Sequence, residues 1–139
     1  MSRSRLLLAD DHVETASLLR GLLQEEFDVI EHVEDGIALV SAAERLSPDA
    51  IVSDISMPGL DGISAATIIL RRDPAARIIF VTVHSDPLLV ERGLAAGAMG
   101  YVLKLAAGDE LLPAVHSALR GERHISGVQG CPGGKSGTR

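Results

Sequence analysis

The chain has 139 residues, of which 46% are hydrophobic but only 2% aromatic. That suits one domain with a core of Leu, Ile, Val and Ala and excludes a disordered chain. The formal net charge of −6 opposes nonspecific nucleic-acid binding, which depends on Lys and Arg. The single cysteine, Cys131, leaves no internal disulfide, and Asp10-Asp11 breaks the first apolar run at once. Neither a signal segment nor a membrane span is expected, and the chain reads as soluble and cytoplasmic.

Residues 6–9, Leu-Leu-Leu-Ala, read as a buried strand. The segment 13–26 then has helical period, with Ala16, Leu19, Leu22 and Leu23 on one face. Residues 27–33 hold a short strand around Val29-Ile30, Asp35-Gly36 turns the chain, and 37–46 is a helix that stops before Ser47-Pro48. Ala50-Ile51-Val52-Ser53 is the next strand, followed by turn formers from Met57 to Gly62 and a helix over 63–72. A strand at 77–81 leads to Asp86-Pro87, where Asp86 is a natural N-cap and Pro87 the first helical residue. That helix runs to about Ala96 and closes at Gly97. Residues 100–103 form the last strand. Asp109 is the expected cap of a final helix through Leu119-Arg120, with Leu111, Leu112, Val115 and Leu119 inward and Pro113 in its first turn.

Five βα units predict an α/β fold: a flavodoxin-like (βα)5 sandwich of three layers, with a five-stranded parallel sheet in the order 2-1-3-4-5. The domain is expected over residues 4–122, and the Gly-rich stretch 123–139 as a flexible tail.

Four strands each run into a polar residue at the carboxyl end, the edge where open α/β sheets carry their sites. The residues are Asp10-Asp11, Asp54, Thr82 and Lys104. Three carboxylates at one edge repel one another unless a cation compensates. Mg²⁺ accepts a few carboxylates, keeps waters and coordinates phosphate oxygens. A carboxylate can also attack phosphorus to give an aspartyl phosphate, with Lys104 and Thr82 placed to meet phosphoryl oxygens. Taken singly, each residue has an ordinary role: a helix cap, a loop acid, a strand threonine, a solvated lysine. Their fall at corresponding strand ends makes coincidence the weaker account.

The residues that carry this pattern are Leu8-Ala9-Asp10-Asp11-His12, the run from Ser53 to Gly62, Val81-Thr82-Val83-His84, and the run from Gly97 to Lys104. Over roughly residues 4 to 122 the chain resembles a response-regulator receiver (CheY-like) domain, most closely the receiver half of NarL-type two-component regulators. The resemblance implies a switch that takes a phosphoryl group from a sensor histidine kinase, with Mg²⁺ as cofactor. It makes Asp54 the phosphoacceptor, Asp11 a direct metal ligand, Asp10 a ligand through water, and the Ser56 backbone carbonyl a further ligand. Thr82 is then the switch hydroxyl, Lys104 its paired cation, and Tyr101 the aromatic that turns inward with Thr82. The output would pass through the surface made by residues 87–96, 100–103 and the last helix, and homodimer formation on phosphorylation is left open.

The chain also departs from the family pattern. Leu105 stands where many receivers have proline after the lysine, and Val83 is larger than the small residue common after the switch threonine. A bulky Val83 would narrow access to Asp54 and slow phosphoryl exchange. The 18 residues after Gly121 are too few for a helix-turn-helix head, so DNA binding by this chain alone is not expected. The chain is expected to be the receiver half of a transcriptional regulator, or else a stand-alone receiver that controls a partner by binding. An enzyme of haloacid-dehalogenase type would need a second acid where Ser56 stands, and a receiver-like module that never takes phosphate would need a broken acidic site. Turnover as an enzyme is therefore not expected. His12 and His84 flank the site, where they could tune hydrolysis or be no more than polar neighbours. Gly134-Lys135-Ser136 lacks the P-loop glycine, Gln129 standing in its place, and Cys131 has no metal partners at useful spacing.

Overall fold

The computed structural model describes residues 3–125. The βα units follow in the expected order: β1 (Arg5–Ala9), α1 (Val13–Leu23), β2 (Asp28–Val33), α2 (Gly36–Leu46), β3 (Ala50–Ser53), α3 (Gly62–Arg72), β4 (Ile78–Thr82), α4 (Pro87–Ala95), β5 (Gly100–Leu103) and α5 (Ala107–Leu119). A two-residue strand, β6 (His124–Ile125), comes last. The sheet is parallel throughout, in the order β2-β1-β3-β4-β5-β6.

The five-strand count is thus corrected to six. His124 and Ile125 pair with Gly100 and Tyr101, and the His124 N–H donates to the Met99 carbonyl at 3.0 Å. Beyond Gly121, whose φ of +80° turns the chain back, Arg123 Nη2 donates to the Leu94 carbonyl at 3.2 Å. His124 Nε2 meets Glu110 Oε1 at 3.0 Å. Ordered chain therefore continues past the expected boundary at 122. The rest of the expected tail, with Cys131 and Gly134-Lys135-Ser136, lies outside the described residues.

Strands buried on both faces alternate between two core layers. Leu6 and Leu8 of β1, with Val52, Ile79, Val81 and Val102, pack against α1 and α5. Leu7 and Ala9, with Ile51, Ile78, Phe80 and Tyr101, pack against α2, α3 and α4. Period two in the strands thus sorts side chains to opposite faces, and each helix covers its layer with an apolar stripe.

Helix starts follow their caps. The Asp35, Asp61 and Asp86 side chains accept from the Ala38, Ser64 and Leu88 N–H groups. At α4 the cap and Pro87 stand where the sequence places them, and Gly97 takes a φ of +109°. Two details differ. Helix α1 ends at Leu23, because residues 24–26 leave the helix in turns that donate back to Arg20, Leu22 and Leu23. Helix α5 starts at Ala107, directly after a 3₁₀ turn at Lys104–Ala106, with no side-chain cap. Asp109 therefore lies within the first turn, where its charge meets the positive end of the helix dipole. Pro113 lies inside the helix, on its exposed side.

Candidate functional site

Pairing of β1 with both β2 and β3 sets the floor of the site. The Asp10 N–H donates to the Val33 carbonyl at 3.0 Å, and the Asp54 N–H to the Ala9 carbonyl at 2.9 Å. The two carboxylates are thereby held side by side at the end of adjacent strands, and both are buried. Asp10 Oδ1 accepts from the His12 N–H at 2.9 Å. Asp54 Oδ1 accepts from the Ile55 N–H at 2.7 Å and, less closely, from the Ser56 N–H at 3.4 Å.

Lys104 reaches across from the end of β5. Its Nζ lies 3.0 Å from Asp10 Oδ2 and 2.9 Å from Asp54 Oδ2, with the side chain only 14% exposed. Burial pulls the ammonium pKa down, but hydrogen bonds and charge from Asp54 and Asp10 outweigh it, and the net displacement is upward. One cation thus bridges two carboxylates that the sequence separates by more than forty residues.

One acidic oxygen remains in excess. Asp11 Oδ1 is buried and accepts no hydrogen bond among the described residues, although the His12 ring lies near it, whereas Asp10 Oδ2 is answered by the Lys104 ammonium at 3.0 Å. Asp10, Asp11, His12 and Asp54 each bring a ligand atom to within 4.8 Å of the others. A hard oxygen donor left over in this way fits a small divalent cation.

Thr82 is fully buried at the end of β4. Its Oγ1 accepts from the His84 N–H at 3.3 Å. Tyr101 lies in the core, and its hydroxyl donates to the His84 carbonyl at 2.8 Å. Burial pushes the Tyr101 phenol up to about 12, with the charges of Asp86 and Asp54 adding to the effect. His84 Nε2 shares a hydrogen bond of 3.0 Å with Ser56 Oγ. Val83 between them is 70% exposed. Above the carboxylates opens a cleft of about 710 Å³ whose lining includes Asp11, His12, Ser56, Met57, His84 and Arg92.

The structure brings Asp10, Asp11, Asp54 and Lys104 into direct register, with Thr82 and Tyr101 joined through His84. Two contributors, Arg92 and His32, escape a reading of the sequence, and a third, His84, is read there only as a flanking residue. His84 ties three candidate residues together with its N–H, its carbonyl and its ring, and the motif carries no sign of this. Arg92 lines the cleft from the second turn of α4, where a sequence shows only an amphipathic helix. His32 Nε2 donates to the Asp10 carbonyl at 2.8 Å, a contact that depends on the β1–β2 register. That register slips between Leu6 and Leu7.

Known proteins resemble this chain in sequence and in fold. The model of the response regulator receiver domain matches residues 6–116. The transcriptional regulatory protein DegU of Brevibacillus brevis is 31% identical over 126 residues, covering 89% of this chain and 53% of DegU. PdtaR of Mycobacterium tuberculosis is 35% identical over 127 residues, covering 91% of this chain and 62% of PdtaR. The chain thus spans little more than half the length of these curated relatives. Among solved structures, a LuxR-family two-component response regulator from Aurantimonas sp. SI85-9A1 superposes with a TM-score of 0.87 at 32% identity, covering 91% of each chain. The isolated receiver domain of RcsB from Salmonella enterica serovar Typhimurium, determined with the phosphomimetic BeF₃⁻, gives a TM-score of 0.83 at 27% identity, covering 91% of this chain and 96% of that one. Fold, acidic edge and sequence match converge, and the chain belongs to the response regulator receiver domain family.

Proposed function

We propose that this receiver domain is a phosphoryl-accepting switch in which Asp54 takes the phosphoryl group of a sensor histidine kinase. The observation that carries the reading is the buried trio of Asp10, Asp54 and Lys104, with the unsatisfied Asp11 Oδ1 beside it. An oxygen of Asp54 attacks phosphorus while the phosphorus–nitrogen bond of the donor histidine breaks, its electron pair returning to the imidazole. Atoms and charge balance without a further reactant.

Asp10, Asp11, Asp54 and the Ser56 carbonyl would hold Mg²⁺, which when bound neutralises phosphoryl charge and orients the group for in-line transfer. Lys104 supplies a fixed positive charge beside Asp54 and faces the extra negative charge that transfer brings. Among the described residues Thr82 Oγ1 only accepts, from the His84 N–H, so its own proton is available to a phosphoryl oxygen. Moving that hydroxyl disturbs His84, which also holds the Tyr101 hydroxyl. The switch therefore reaches β5 and the face made by α4, β5 and α5.

On this reading the chain signals and does not turn over substrate as an enzyme. It acts in the cytoplasm, and no helix among the described residues is long and apolar enough to cross a membrane. The transcriptional names of the curated relatives favour service as the receiver half of a transcription regulator, with dimer formation on phosphorylation. A stand-alone receiver that binds a partner protein is the alternative. The acidic chain is not expected to bind DNA unaided.

The test is intact-mass spectrometry after incubation with acetyl phosphate and Mg²⁺. One added phosphoryl group is expected, absent in Asp54→Ala and in the presence of EDTA. Multiple turnovers of phosphate release would favour an enzyme instead. Failure to label with any donor would remove the switch.

A further inference from the structure

His12 occupies the N-cap of α1, yet its side chain makes no capping bond, although Ser, Thr, Asp or Asn is the usual choice there. Its ring turns instead toward the acid pair. Nδ1 lies 3.2 Å from Asp11 Oδ1 and 3.5 Å from Asp10 Oδ1. Despite this closeness, Asp11 Oδ1 accepts no hydrogen bond among the described residues. Ring nitrogen and carboxylate oxygen are near each other without being aimed at each other, as two donors are when both face a third point.

The spacing has a simple geometric meaning. Adjacent donors on an octahedral ion with bonds of about 2.1 Å lie about 3.0 Å apart, and opposite donors about 4.2 Å apart. The separations of 3.2 and 3.5 Å at His12 lie somewhat above the adjacent value. The 4.8 Å limit that encloses all four ligand atoms lies above the opposite one, so the donors close in by about half an ångström to share one ion. The buried, unsatisfied Asp11 Oδ1 points to a cation at the same place.

We propose that His12 Nδ1 is a nitrogen ligand of this domain's metal site, so that the site favours divalent ions that accept imidazole over Mg²⁺. The inference rests on the metal-binding reading above. Mg²⁺ prefers oxygen and binds imidazole poorly, whereas Co²⁺, Ni²⁺ and Zn²⁺ take it readily. A set of two or three carboxylates plus one imidazole therefore remains usable by Mg²⁺ through its oxygens and gains a bond with the later metals. His12 is 68% exposed and caps nothing, so its substitution leaves the fold in place.

The test measures binding of Co²⁺ and Mg²⁺ by calorimetry on the full chain in a Cys131→Ser background, which removes the one thiol that could compete for Co²⁺. The wild-type site should prefer Co²⁺ to Mg²⁺. His12→Ala should reduce that preference by roughly tenfold or more, with Mg²⁺ affinity little changed. Proton NMR of the Co²⁺ form should show a paramagnetically shifted imidazole N–H resonance that is missing in His12→Ala. An unchanged preference and no shifted resonance would make His12 an ion-pair partner only and overturn the inference, while intact Mg²⁺ binding left the switch standing. Loss of both metals in Asp11→Asn is expected. A wild-type chain that binds neither metal would sink both readings together.

Discussion

Lys104 sits where three physical demands meet. Two carboxylates almost wholly out of water require compensation, and an ammonium that is itself largely buried supplies it at 2.9 and 3.0 Å. A buried pair contributes little relative to an apolar replacement of both partners, but removing one partner leaves an uncompensated charge. Lys104→Met should therefore lower unfolding stability by about 3 kcal/mol in urea titrations without divalent cation. Millimolar Mg²⁺ should recover a good part of the loss, since a cation binding only the folded state stabilises it by mass action. Equal stability of Lys104→Met and the parent without Mg²⁺ would show that the lysine does not balance these acids. At the same scale, Asp10, Asp11, Asp54 and Lys104 were legible from the ends of apolar runs. The direction of the His12 ring and the triple role of His84 were not, because each depends on which loops meet above the sheet.

The element that shapes the site most closely is the start of α3. Its first residue, Gly62, donates its N–H to the Ile55 carbonyl at 2.7 Å. A Cβ added there would lie 2.1 Å from the Asp54 carbonyl oxygen. No side chain fits without moving backbone, and the backbone in question carries the candidate phosphoacceptor. Gly62→Ala should cost about 1–3 kcal/mol of stability through overpacking and should also slow acetyl-phosphate labelling of Asp54. A variant that lost stability but labelled at the parent rate would show that the loop absorbs the strain away from Asp54. Turn formers between Met57 and Gly62 announce a loop in the sequence. That the last of them abuts Asp54 follows only from the packing of α3 on β3. The same holds for β6. A segment that composition assigns to a tail becomes a strand because the edge of β5 has backbone groups to pair and Ile125 finds the core beside Tyr101.

The two core layers and the site meet at β5, which carries Tyr101 into one layer, Val102 into the other, and Lys104 just beyond. This joint placement gives the whole molecule an alkaline limit. Tyr101 ionises near 12 in the fold against an ordinary 10, so the stability linked to its neutral form is complete below pH 10 and is lost as pH rises from 10 toward 12. Lys104 is also displaced upward, so its ion pairs are intact below its ordinary pKa and weaken as pH rises beyond it. Stability should hold to about pH 10 and then fall. The chain has one tyrosine, so ultraviolet absorbance reads Tyr101 alone. Ionisation near 10 in a chain still folded by circular dichroism would contradict the burial argument, and Tyr101→Phe should remove the tyrosine part of the pH dependence.

Local chemistry was enough for the order of elements, the parallel sheet and the edge on which the acids fall. Alternating apolar positions, aspartate caps and glycine stops act over a few residues and leave few ways to arrange five βα units. The bridge between Asp10 and Asp54, the slipped register beside His32, the pairing of His124–Ile125 and the start of α5 were decided by tertiary structure. Each depends on distances between segments remote in the chain, and those distances exist only once the two layers have closed on the sheet.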